Sequence, residues 1–291
     1  MNKKLHAIYI GLFIFVGVTS TLLLAIDGYQ YYTTPLVNRF FNPQDSLLNP
    51  SGLIGHGLGI VGSLMMIVGV AIYMIRKRVR AFLHWGYLKN WLELHIFLCT
   101  LGPIFVLFHT AFKFGGIVAV SFWSMTAVVL SGVIGRFIYV QIPRTIQGQM
   151  IGIEELNGIN QQLSKRLREE FSVNENLISK IEEASRFAKP QKENLRNSIS
   201  FMLKDSIRIR RILKNIKKES KAASVPSKEI REIQNTAKSK MILARRVRLL
   251  STMQRFFRHW HIVHLPFAIL MFFIMFIHIA VAIVFGYRWI F

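Results

Sequence analysis

WLELHIFLCTLGPIFVLFHTAF, residues 91–112, and WHIVHLPFAILMFFIMFIHIAVAIVF, residues 260–285, are nearly uncharged runs long enough to cross a bilayer as helices. Each carries a pair of histidines fourteen residues apart, His95 and His109 in the first, His264 and His278 in the second, with His261 at the very start of the second run. At about 1.5 Å and 100° per residue, that spacing separates the rings by about 21 Å and returns them to nearly the same helix face. Two such helices side by side offer two levels of facing imidazoles, the axial ligation that b-type haem takes.

The rest of the composition suits a lipid setting. Of 291 residues 52% are hydrophobic and 12% aromatic, and the mean hydropathy is +0.36, which is too apolar for an ordinary soluble domain. The formal charge of +22 does not point to nucleic acid, because the basic residues flank apolar runs or fill one polar segment without a nucleic-acid motif. Cys99 is the single cysteine. An intrachain disulfide, a thiolate iron–sulfur cluster and c-type haem attachment are thereby excluded, which leaves histidine to hold a cofactor.

Working outward, the sequence predicts an all-α polytopic membrane bundle of five spans with a cytoplasmic helical insertion between spans four and five. Residues 1–51 make the first span and an outside loop, with Tyr29, Tyr31, Tyr32, Phe40 and Phe41 as interfacial aromatics. Lys3 and Lys4 place the N-terminus in the cytoplasm. Residues 52–142 hold spans two to four. Span two, from Leu53 to Ile75, stops at Arg76-Lys77-Arg78, and Gly55, Gly57, Gly59 and Gly62 give it a bare face for a helix or a flat macrocycle. His56 near its outer end is a further candidate for ligation or for a hydrogen bond to a propionate or quinone. His84 lies in the following inside loop. Pro103 predicts a kink in span three, and Phe114-Gly115-Gly116 makes a tight turn to span four. Arg136, just inside span four, is a candidate partner for a haem propionate or for lipid phosphate.

Residues 143–258 carry 26 Lys/Arg against 12 Asp/Glu, with apolar residues at helical spacing such as Leu156, Leu167, Ile181, Leu195, Ile199, Met202, Ile209, Ile216, Ile233 and Met241. Ser172 to Glu175 reads as a capping box, Pro190 as a first-turn proline and Val225-Pro226-Ser227 as a break and restart. A basic scaffold beside anionic lipid explains this insertion first, and docking of a soluble electron donor second. Residues 259–291 form the fifth span and an outside C-terminus. Spans three and five then run parallel, which pairs His95 with His264 toward the cytoplasm and His109 with His278 toward the outside.

The segments Trp91-Leu-Glu-Leu-His95 through His109, the tight turn, Ser131-Gly-Val-Ile-Gly-Arg136-Phe-Ile-Tyr139 and His264 through His278 resemble the membrane core of the ferric reductase and NADPH oxidase superfamily, in its bacterial cytochrome b form. The resemblance covers spans two to five. It implies that His95, His109, His264 and His278 ligate two b-type haems and that electrons cross the membrane between them. The flavin and nicotinamide domain of those reductases has no counterpart in this sequence, and the basic insertion has none in theirs. The expected partners are therefore membrane lipid, a quinone, and a redox protein that is either a periplasmic cytochrome or a cytoplasmic donor, at a bacterial inner membrane. Ferric reduction at the outer face, a membrane anchor whose insertion docks a partner, and a histidine-containing transporter are the competing functions.

Overall fold

The computed structural model describes residues 3–82, 85–116, 118–143, 153–169, 175–186, 194–222 and 224–285. Among them there is no strand, and five helices are long and apolar enough to cross a membrane. His84, Arg144, Ser172, Pro190 and the C-terminal Tyr287 to Trp289 lie outside the described residues. The chain forms two compact units, residues 1–134 with 261–291, and residues 135–260.

The first unit contains α1 (Lys3–Asp27), the short α2 (Tyr29–Thr33) and α3 (Asp45–Leu48), α4 (Leu53–Arg78) and α5 (Leu88–His109). It also takes the front of α6 (Val118–Gln141) and, from far along the chain, the rear of a long last helix. Its exterior is apolar: Ile8, Phe15, Leu130 and Phe273 are each more than 60% exposed. Side chains of that kind over whole helices are what a lipid-facing surface requires.

Helices α4 and α5 pack backbone to backbone. A Cβ on Gly62 would lie 2.7 Å from the carbonyl oxygen of Gly102, and one on Gly102 would lie 2.7 Å from that of Gly62. Small residues permit this approach, and dispersion between the two backbones rewards it in lipid. The bare face of α4 is therefore covered by a helix, which settles between the two occupants the sequence allowed. Pro103 lies inside α5, which continues through it as one helix.

The loop between α1 and α4 is a folded cap. Tyr31 is fully buried and its hydroxyl donates to Asp45 Oδ1 at 3.0 Å. Arg39, 4% exposed, donates to the carbonyls of Tyr32 and Thr34 at 3.1 Å and to that of Ala111. Ala111 and Phe112 have φ of 47° and 59°, a left-handed conformation that costs non-glycine residues roughly 1–3 kcal/mol each. The expected interfacial aromatics thus divide, with Tyr31 in the cap's core and Phe40 and Phe41 78% and 80% exposed. At the other end of α4, Arg76 clips the next loop through Trp85 O (3.0 Å) and Gly86 O (2.9 Å).

The second unit contains α7 (Ile153–Glu169), α8 (Glu175–Ala184), α9 (Leu195–Ala222) and the first half of α10 (Ser227–Val284). The helix α10 starts directly after Pro226 and spans 58 residues without a break, through Pro266. The sequence separated a cytoplasmic helix from the fifth span near Arg258; the backbone joins them. Leu167, Ile181, Ile209, Ile216, Ile233, Ala237 and Met241 form one buried cluster. Leu156, Met202, Val247, Leu250 and Met253 anchor another. Leu195 and Ile199, which the sequence places in the same helical apolar periodicity, are exposed.

Candidate functional site

The close approach of α4 to α5 also positions the histidines of α5. Glycines 55, 62 and 69 recur every seven residues on α4, and opposite them on α5 stand His109, Gly102 and His95 at the same interval. The Nδ1–H of His109 donates to Gly55 O at 2.8 Å, and that of His95 to Gly69 O at 3.1 Å. A carbonyl only accepts, so both rings carry their proton on Nδ1 and keep the lone pair on Nε2. The close packing also leaves no spare room at His109, since a Cβ on Gly59 would stand 2.8 Å from its ring.

On α10, His264 Nδ1 lies 2.6 Å from Ser131 Oγ of α6, and the Ser131 hydroxyl donates to Val128 O at 2.9 Å. Oγ serves as the acceptor when the His264 ring carries its proton on Nδ1, the tautomer that leaves the lone pair on Nε2. Three of the four span histidines are thus fixed through Nδ1 by a protein oxygen, the support that metal-ligating imidazoles almost always have.

The rings fall into two groups along the helices. At the Trp91 end of α5, His264 lies within electrostatic reach of His95 and His261. The Tyr73 ring stacks on His95 at 5.3 Å and 29°, and Cys99 Sγ lies 3.5 Å from His95 Nδ1. At the other end His109 stands 6.4 Å, centroid to centroid, from His278 and 6.3 Å from His56. His56 and His278 thus stand at nearly equal separations from His109. Among the described residues no three His, Cys, Asp or Glu side chains converge as a metal held by protein alone would need.

Comparison with protein-family models, curated proteins and solved structures finds no match. The site therefore rests on its own geometry. Arg136 belongs to the second unit, where its guanidinium lies 5.9 Å from the Tyr139 ring centre.

Sequence reasoning missed three contributors. Gly69 and the acceptor role of Ser131 become visible only with the register between helices, although the matching seven-residue intervals on α4 and α5 were a signal for Gly69. The third is His6 of α1, whose Nε2 accepts from Lys89 Nζ at 3.1 Å and lies 3.7 Å from Glu93 Oε1. Lys89 Nζ lies 3.5 Å from the same oxygen of the buried Glu93.

Proposed function

We propose that this chain is a di-haem b-type cytochrome that carries electrons across a bacterial inner membrane as a subunit of a quinol- or cytochrome-linked redox chain. The observation that carries this reading is the fixing of His95, His109 and His264 through Nδ1, which leaves the other ring nitrogen for iron. His95 and His264 would hold one haem. His109 would hold the second with His278, and His56 stands at the same separation as the alternative partner.

When bound, b-type haem supplies a one-electron Fe(III)/Fe(II) couple at each level. The chain's own contribution is placement and exclusion of water. The α5 histidines hold their levels about 21 Å apart along the helix, and the carbonyls of α4 keep those rings from turning. Met66, Met125, Met271 and Met275 fill the space among α4, α6 and α10 with apolar, polarizable side chains.

Lys3 and Lys4 at the start of α1 and Arg76-Lys77-Arg78 at the end of α4 support a cytoplasmic side for the Trp91 end of α5. A membrane quinol or a soluble redox protein is the donor class, and a quinone, a periplasmic cytochrome or a ferric complex the acceptor class. The direct test is a reduced-minus-oxidised absorption spectrum of protein purified from cells supplied with haem. A b-type alpha band is expected. A colourless preparation overturns the reading in favour of an anchor or a transporter.

A further inference from the structure

Helix α9 has two faces of different character. Toward the second unit's core it turns Ser198, Met202, Ile209, Ile216 and Ser220. Away from it, Leu195, Ile199, Leu203 and Ile207 form a row at four-residue spacing and are 43%, 40%, 64% and 51% exposed. Among the described residues between 153 and 260, these are the large apolar side chains left exposed. The next row round the helix reads Arg196, Ser200, Lys204 and Arg208, and the apolar row itself continues as Arg211. All nine Lys and Arg residues of α9 are exposed, while its two acidic residues, Asp205 and Glu219, are not.

The apolar row has a definite place along α10. Leu213 O accepts from Gln234 Nε2 at 2.8 Å, Ser206 Oγ lies 2.9 Å from Arg245 Nη1, and the Arg248 guanidinium lies 3.9 Å from the Phe201 ring centre. The two helices are antiparallel, and the register carries Leu195 level with the turn around Gln254. Trp260 follows six residues later, about 9 Å along the helix, where the apolar run begins. The half of α9 that exposes leucine and isoleucine is the half beside residues 245–254 of α10, the stretch that precedes the apolar run in the sequence. The remote half exposes basic and polar residues.

We propose that this outer face of α9 is a docking surface for the anionic leaflet of the membrane that the chain itself crosses, with the Leu195–Ile207 row entering the headgroup boundary and the basic rows meeting lipid phosphate. An acidic protein would satisfy the charge but gives no reason for apolar exposure confined to the end next to the span. Amphipathic helices with basic flanks bind interfaces through both components, and each basic residue near an anionic leaflet contributes about fivefold in partition. The inference rests on the membrane reading of the apolar helices and is independent of haem.

The test uses full-length protein in nanodiscs of phosphatidylcholine, with or without phosphatidylglycerol. An environment-sensitive NBD fluorophore is placed by Leu203→Cys in a Cys99→Ala background, and in a second protein by Lys218→Cys. Label at position 203 is expected to shift to the blue when phosphatidylglycerol is present and to lose that shift on adding salt. It should also lose it when Arg196→Glu, Lys204→Glu and Arg211→Glu are combined, changes at exposed positions. Label at position 218 should shift far less. Emission independent of lipid charge, or equal shifts at both positions, overturns the proposal. Emission indifferent to lipid but shifted by added polyglutamate also overturns it and assigns the face to an acidic polypeptide.

Discussion

At the scale of single residues, the hydrogen bond behind an imidazole controls the imidazole. In Ser131→Ala, His264 loses the acceptor for Nδ1–H. If the chain binds the two proposed haems, the expected result is one of them bound roughly 10–100-fold more weakly, with a shifted midpoint potential, while the other is unaffected. Ser131→Thr retains the oxygen and should restore both; haem titration and potentiometry read the outcome. A different residue governs stability in the second unit. Lys240 is 2% exposed, and burial pushes its ammonium below the usual lysine range, with Glu182 opposing the shift and Arg168 adding to it. Because the folded value lies below the unfolded one, the unfolded chain binds more protons across that interval, so stability rises with pH there and falls as pH drops through the folded value. At neutral pH the buried charge is a net cost, and Glu182 keeps Arg168 as a partner at 2.8 Å. Lys240→Met should therefore raise thermal stability by about 1 kcal/mol and flatten the alkaline part of the stability profile. A lower melting temperature would show that Lys240 contributes more by pairing than it costs by burial.

At the scale of helices, the decisive feature is how closely two backbones approach. Gly62→Ala would place a methyl against Gly102 O, whereas Gly132 has no heavy atom within 4 Å of a Cβ position. The alanine at 62 should therefore separate α4 from α5, lowering thermal stability and loosening the proposed haems, and the alanine at 132 should not destabilise the fold. The cap is a second element-scale device. Arg39→Ala removes the donor to three backbone carbonyls, and should destabilise the cap by about 2–4 kcal/mol, read as faster proteolysis between residues 34 and 52. Much at this scale was legible in the sequence: the histidine-bearing helices, the glycine turn after α5, and the restart after Pro226. Those features are local, set by hydropathy period and by backbone conformations that single residues dictate. The continuity of α10 was hidden because Arg255 and Arg258 mark where polarity changes, and helix propagation requires only backbone hydrogen bonds, which charged residues support well. The exposure of Leu195 and Ile199 was hidden for another reason: periodicity finds an apolar row but not which neighbour, if any, covers it.

At the scale of the whole molecule, four histidines on α5 and α10 form two levels only if the helices lie in one register, and His56 makes the His109 level ambiguous by geometry alone. Chemistry separates the alternatives. If His109 and His278 would together hold one haem, replacing either by leucine should remove one of its two protein ligands, and with it one of the two alpha-band components. His56→Leu should then leave both components in place and move only the potential of that haem, because a nearby imidazole acts on it through its dipole. The reverse result, loss of a component in His56→Leu and retention in His278→Leu, would reassign the pair to α4 and α5. At the other level, His95→Leu and His264→Leu should remove the same component, and their combination should remove no more than either alone, the non-additivity expected of two groups that act as one ligand set. If the double variant lost both components, the two levels would not be independent sites.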